Sequence, residues 1–171
     1  AYRPRLLICG APGSGQNHLA AAVLHGLDNC QLYQLDIASS FSNSNASSVE
    51  AGVISTIEAA RRTVPSVLYL PRVESWWSSV SHSVLIALLT ALEQIPPTLP
   101  LLVVATSDMT ATEYAEQHDS GLSEITHLFE KIVDIPKPSR NELKRFFTPL
   151  FQALYFLSVR NEPTRRLISK A

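Results

Sequence analysis

Leu6-Leu7-Ile8-Cys9-Gly10-Ala11-Pro12-Gly13-Ser14-Gly15-Gln16-Asn17-His18-Leu19 reads as a short buried strand, a glycine-rich turn and the first turn of a helix. That layout suits a phosphate-binding loop, in which consecutive main-chain N–H groups and a helix N-terminus converge on an anion. In the template G-x-x-x-x-G-K-[ST], Gly10 and Gly15 take both glycine positions and Gly13 adds a third flexible point. Gln16 and Asn17 stand where the template has Lys and Ser or Thr. The candidate phosphate contacts are therefore Gly10, Ala11, Pro12, Gly13, Ser14, Gly15, Gln16, Asn17 and His18.

Each replacement removes a defined piece of chemistry. The template lysine places a positive charge on the β- and γ-phosphates, whereas Gln16 offers a neutral amide donor. Hydrogen bonds to charged groups contribute roughly 1.5–3 kcal/mol, against about 1 kcal/mol for neutral pairs. The template hydroxyl holds Mg²⁺, a hard cation that prefers charged or hydroxyl oxygens, and the Asn17 carbonyl is a poorer substitute. ATP or ADP would be held weakly here, and Mg²⁺ would not be held by these residues. Two other readings of the glycines stay open. In a dinucleotide fingerprint, G-x-G-x-x-G, Gly13 and Gly15 supply the first half and Asp36 meets a ribose, but His18 takes the third glycine position. In the plainest reading the glycines only make a tight strand-to-helix turn.

The chain has 171 residues, 46% of them hydrophobic and 17% charged, with a net charge of −1. It is long enough for one domain with a sizeable core. The charge balance gives no reason to expect nucleic acid or an anionic membrane as a partner. Cys9 and Cys30 suit two free thiols rather than a zinc site or a disulfide framework. No apolar run reaches membrane-spanning length. The absence of an initiator Met and of a signal peptide suggests a segment of a longer protein.

Strands and helices alternate, which predicts a parallel sheet covered on both faces. Leu19, Val23, Leu24 and Leu27 would form the inner face of the first helix. Residues 31–37 make a second strand and 39–48 a Ser/Asn-rich loop. Ser47-x-x-Glu50 is a capping-box signature for a helix that faces Val53, Ile54 and Ile57 inward and ends before Pro65. Residues 66–70 make a third strand, stopped at Pro71-Arg72. Trp76-Trp77 opens a helix expected to run to Ile95, with Val80, Val84, Leu85, Leu88, Leu89 and Leu92 at helical spacing. Residues 100–106 and 132–135 complete five strands around a polar helix-and-loop stretch at 109–128. A last amphipathic helix covers 140–159 and a polar tail follows.

Three phrases in this frame resemble the AAA+ ATPase superfamily. "GPPGTGK[TS]" aligns with Gly10 to Asn17, "ARxxxPSIIFIDEID" with Ala60 to Glu74, and "VVIGATN" with Leu102 to Ser107. The phrases "RPRLLI-GxPGxGQxxHLA", "VPSVLYLPRVxxWW" and "LLVVATSD" look more closely like the second, degenerate AAA+ domain of the bromodomain-containing chromatin ATPases. The likeness runs from about Arg3 to Phe147. It implies a three-layer α/β P-loop fold with a five-stranded parallel sheet, the core at residues 1–138 and the start of a truncated lid at 139–171. It further implies a homo-hexameric ring built with other AAA+ domains, a nuclear location, and histone or chromatin partners met through the rest of a bromodomain-containing protein.

The departures from a working AAA+ domain point the other way for catalysis. Pro71 and Arg72 replace the acidic pair that polarises Mg²⁺ and activates water, and Arg72 carries the wrong sign for either task. Ser107 replaces the Asn that orients the attacking water. No Arg lies between His118 and Leu128, where the family carries its trans-acting finger, and Ser44-Asn45-Ala46-Ser47 replace the aromatic pore loop. The expectation is a pseudo-ATPase with a structural task and no catalytic residues of its own. The alternatives are an ATPase in which Glu74 or Asp108 supplies the missing carboxylate, and an interaction domain that never holds nucleotide. His18, His25, His82, His118 and His127 lack ligand spacing for a metal, and no G-x-S-x-G surrounds a serine. Trp76-Trp77 suits either an interface anchor or one core-facing and one half-exposed ring.

Overall fold

The computed structural model describes residues 4–38, 48–116 and 123–160. They fall into two compact units, one ending at Pro136 and one beginning at Lys137. The first contains β1 (Arg5–Gly10), α1 (Gln16–His25), β2 (Gln31–Gln34), α2 (Val49–Arg62), β3 (Ser66–Leu70), α3 (Glu74–Ser79), α4 (His82–Glu93), β4 (Leu101–Thr106), α5 (Ala111–Glu116), α6 (Ser123–Leu128) and β5 (Lys131–Ile135). The second contains α7 (Arg140–Arg160).

All five strands are parallel, in the order β2-β3-β4-β1-β5. Parallel neighbours need long crossovers, and the helices between the strands supply them. The three central strands are apolar on both faces and mostly buried, while β2 and β5 at the edges are partly exposed. Ile8 on β1 pairs with Thr106 on β4 and with Val133 on β5, so the loop after β1 opens at the carboxyl end of the sheet, where the crossovers change side. This is the α/β P-loop arrangement expected from the sequence.

One face of the sheet presents Leu7, Cys9, Leu68, Leu70, Val103 and Ala105 to α2, α3 and α4, and forms the larger core with Val53, Ile57, Trp76, Val84 and Leu88. The other face presents Ile8, Val67 and Val104 to Ala20 on α1. Arg5 is buried although it opens β1; its guanidinium donates to the Leu92 and Leu128 carbonyls, in the last turns of α4 and α6. A cation there meets the negative ends of two helices at once.

Several local expectations need correction. Leu19 and Ile54 are 40% and 44% exposed, so neither faces the core. On α1 the inner positions are Gln16 and Ala20, followed by the half-buried Leu24, with Leu27 packing just beyond the helix; on α2 they are Gly52, Val53, Ile57 and Ala60. Ser47 lies outside the described residues, and the cap of α2 is Ser48, whose hydroxyl accepts from Ala51 N at 3.2 Å. Glu50 instead accepts from Ser83 Oγ at 2.7 Å, which holds its carboxyl below the usual range. The helix expected to run to Ile95 is two helices, because Val80 and Ser81 are extended (ψ 162° and 155°) and separate α3 from α4. The second strand stops at Gln34. The Ser44–Ser47 segment and His118 also lie outside the described residues.

In the second unit, Ser139 N donates to Glu142 Oε2 at 2.7 Å and Glu142 N donates to Ser139 Oγ at 3.3 Å. That reciprocal capping box starts α7. The helix contains Pro149 and carries exposed apolar side chains, Phe146, Phe151 and Phe156 among them.

Candidate functional site

The loop of residues 10–18 has the backbone a phosphate cradle needs. Gly13 and Gly15 adopt φ of +83° and +96°, a region that L side chains avoid. Nothing lies within 4 Å of a Cβ built on either, so backbone conformation and not crowding selects glycine there. Gly10 differs: a Cβ there would meet Gln16 Nε2, Ser14 Cβ and Ile135 Cβ, each at 3.3 Å. Helix α1 begins directly at Gln16, so its N-terminal N–H groups point back toward the loop.

The side chains at the tip of the loop are engaged with the protein itself. Gln16 is 3% exposed, and the two N–H groups on its Nε2 are shared among the carbonyls of Gly10 (2.5 Å), Ala11 (2.9 Å) and Ser107 (3.3 Å). Asn17 is exposed, and its Oδ1 accepts from Thr106 Oγ1 at 3.2 Å. The same Thr106 oxygen accepts from the Arg72 main-chain N–H at 3.1 Å. A continuous relay thus runs from the turn after β3, through the last residue of β4, to the first turn of α1. Ala11, Ser14 and Gly15 are half-buried in the loop, while Pro12, Gly13 and His18 are exposed.

Beyond the loop, the turn that follows β3 is Pro71-Arg72 and carries no acid. β3 ends at Leu70, and Arg72 sits in the following turn at φ +47°, exposed and held by its main chain. Val73 N donates to Thr106 O at 2.9 Å, which turns the chain into α3 and carries Glu74 out of strand register. Glu74 lies close enough to the Cys9 thiol and the Tyr114 phenol to raise the pKa of both, and its Oε2 is buried without a partner among the described residues. Burial first, with Asp134 and Glu74 adding, pushes the Cys9 thiol up to about 12, so it is not a nucleophile at neutral pH. Ser107 is fully buried and pairs with Tyr114 Oη at 2.7 Å, while its Oγ also accepts from Met109 N at 3.1 Å. Asp108 is half-buried in the same turn.

A divalent metal does not fit this donor set. The Asn17 oxygen already accepts a hydrogen bond, and the turn that follows β3 carries a proline and a cation, Pro71 and Arg72. Among the described residues no three His, Cys, Asp or Glu side chains cluster as metal ligands. A nucleotide phosphate fits only through the main chain of the loop and the start of α1. Trp76 is fully buried and Trp77 half-buried against the larger core, the plainer of the two arrangements expected for the pair.

Residues 6–136 match the family model described as "ATPase family associated with various cellular activities (AAA)". The chain belongs to the AAA family. Within it, this AAA domain is similar to the human protein named ATPase family AAA domain-containing protein 2B, at 36% identity over 88% of this chain and 10% of that protein. Mouse ATPase family AAA domain-containing protein 2 is 38% identical over 88% of the chain and 14% of its own length. The Saccharomyces cerevisiae ATPase histone chaperone YTA7 is 29% identical over 89% of the chain and 11% of its length. The AAA domain therefore spans about a tenth of the length of these relatives. In fold it is similar to the FIGL-1 AAA domain solved in complex with ADP, with a TM-score of 0.59 at 18% identity, covering 90% of this chain and 50% of that one.

The structure sets the loop between β1 and α1, as the sequence predicts, and adds a residue the sequence reading does not single out: Thr106, the shared partner of Asn17 and of the Arg72 main chain. Its signal in the sequence is a Thr at the end of the fourth strand, which pairs with Ile8 two residues before the loop. Arg5 was missed as well, because a basic residue before an apolar run reads as a solvated flank.

Proposed function

We propose that this chain is a catalytically degenerate AAA+ domain, a pseudo-ATPase that serves as scaffold in a ring formed with other AAA+ domains of a longer chromatin-associated protein. Its relatives' names, histone chaperone and bromodomain protein among them, support that setting, with histones met through the rest of the protein and a nuclear location. Nucleotide would be held weakly by the main-chain cradle, with no requirement for Mg²⁺.

The observation that carries the reading is the turn at Pro71-Arg72. The residues aligned with the catalytic acidic pair are a ring without a donor and an exposed guanidinium, and their main chain is tied to Thr106. That turn supplies neither a general base nor a metal ligand, and loss of a single charge-stabilising group can already cost ~10²–10³ in rate. Glu74 would have to leave the neighbourhood of Cys9 and Tyr114 to replace them. The test is phosphate release from the full chain with ATP and Mg²⁺. The scaffold reading expects a rate equal to buffer; turnover abolished by Glu74→Ala would establish the enzyme instead. In the longer protein, deletion of residues 6–136 is expected to shift the sedimentation coefficient from ring to smaller species.

A further inference from the structure

In a working P-loop ATPase, the bound nucleotide and its metal join three elements: the loop after the first strand, the turn carrying the acidic pair, and the end of the sensor strand. Loss of those contacts releases such segments, which makes the domain switchable. Here the same three elements are joined by side chains of the protein. Gln16 Nε2 bridges the Gly10 and Ala11 carbonyls to the Ser107 carbonyl beyond β4. Asn17 Oδ1 reaches Thr106 Oγ1, which in turn holds the Arg72 N–H after β3.

We propose that Gln16 and Asn17 form a built-in clamp that replaces nucleotide and metal, fixing this domain permanently in one conformation. The proposal rests on the pseudo-ATPase reading and adds to it how the site is regulated: it is not switched at all. Three features of the geometry favour a clamp over incidental contacts. Gln16 is buried at the N-terminus of a helix, a costly place for an amide unless it is bonded. Its three acceptors come from the carboxyl ends of two neighbouring strands, Gly10 and Ala11 at the end of β1 and Ser107 just beyond β4. Gly10 leaves room for the amide where a Cβ would press on it at 3.3 Å.

Amide hydrogen exchange on the full chain tests this, followed at residues 10–17 and at Arg72 and Val73. The wild type is expected to show the same exchange alone, with ADP, and with ADP plus Mg²⁺. Gln16→Ala should speed exchange over residues 10–17 about tenfold, the fold-change for one lost net hydrogen bond of roughly 1.4 kcal/mol. Gln16→Lys should restore protection, because an ammonium also donates to the three carbonyls. Asn17→Ala, at an exposed position that leaves the core untouched, should speed exchange at Arg72 while sparing Ser14. Wild-type exchange in both alanine variants would overturn the clamp, as would a strong slowing of wild-type exchange by ADP and Mg²⁺. If Gln16→Ala does not fold, the Asn17→Ala result at Arg72 decides alone. Phosphate release separates the two readings: turnover sinks the scaffold reading together with the clamp that rests on it, and no turnover with unchanged exchange sinks the clamp only.

Discussion

The Thr106 hydroxyl donates to Asn17 Oδ1 at 3.2 Å and accepts from the Arg72 main-chain N–H at 3.1 Å, so one side chain at the end of β4 satisfies both neighbours of the loop. Thr106 is 1% exposed, so its hydroxyl is held inside the fold by these two partners, while Asn17 and Arg72 themselves are exposed. Thr106→Val, similar in shape, is expected to lower stability by about 1–2 kcal/mol. Thr106→Ser keeps the oxygen and should cost less. The midpoint of urea unfolding reads both.

Putting the lost groups back one region at a time should fail. Gln16→Lys with Asn17→Thr recreates the loop consensus but leaves Pro71 and Arg72, so the phosphate-release rate should stay at background. Adding Pro71→Asp and Arg72→Glu supplies a metal ligand and a base, though Glu at φ +47° is strained. Turnover from the loop double variant alone would show that the acidic pair is dispensable.

That φ makes a separate prediction. A non-glycine residue in the left-handed region carries about 1–2 kcal/mol of strain, partly offset by glycine's larger entropy loss on folding. Arg72→Gly should therefore raise the urea midpoint slightly, by up to ~1 kcal/mol of stability, and Arg72→Val should lower it. A fall with glycine would mean that the guanidinium makes stabilising contacts.

How far the sequence could be read follows from the kind of signal each residue leaves. Central strands are apolar on both faces, so β1, β3 and β4 stand out, and the glycines at 13 and 15 mark positive φ directly. Helix rotation was harder. Gln16 turns inward because three carbonyls draw its amide, which sets Gln16, Ala20 and Leu24 on the inner face and rotates Leu19 away. Hydrophobicity alone ranks Leu19 above Gln16 and so gives the wrong face. The break at Val80-Ser81 was hidden because its apolar residue continued the helical spacing. Ser48 rather than Ser47 caps α2, a one-residue shift that composition cannot resolve in a serine-rich loop. The Thr110–Glu113 and Ser139–Glu142 boxes are legible as T/S-x-x-E patterns at the starts of helices α5 and α7.

Burial of two acids sets the response to alkaline pH. The Cys9 thiol is raised from 9.0 to about 12, by burial first and then by Asp134 and Glu74. The Tyr114 phenol is raised too, chiefly by burial, despite its bond to Ser107. Both groups are held neutral in the folded state, so their contribution is complete below the unfolded pKa and is lost as pH climbs toward the folded one. For Cys9 that window runs from about pH 9 to about 12. The melting temperature should fall steadily across it, and Cys9→Ala should flatten the early part of that decline. An unchanged slope in the variant would assign the alkaline loss to Tyr114 alone.

Arg5 gives the largest expected single effect. It is 5% exposed and ties the ends of α4 and α6 to the first strand through the Leu92 and Leu128 carbonyls. Arg5→Met keeps an unbranched apolar stem but removes every donor, leaving carbonyls at two helix C-termini without their cation. The cost should be about 2–4 kcal/mol, since a polar group stranded by loss of its partner costs more than the bond contributed net. Arg5→Lys should recover only part, because an ammonium cannot reproduce the planar fork that reaches both carbonyls. Because these contacts lie at the amino end of β1, away from the loop that follows Gly10, hydrogen exchange at residues 10–17 should be unchanged in Arg5→Lys while global stability falls. Loss of protection at the loop in that variant would show that the first strand transmits strain from one end to the other.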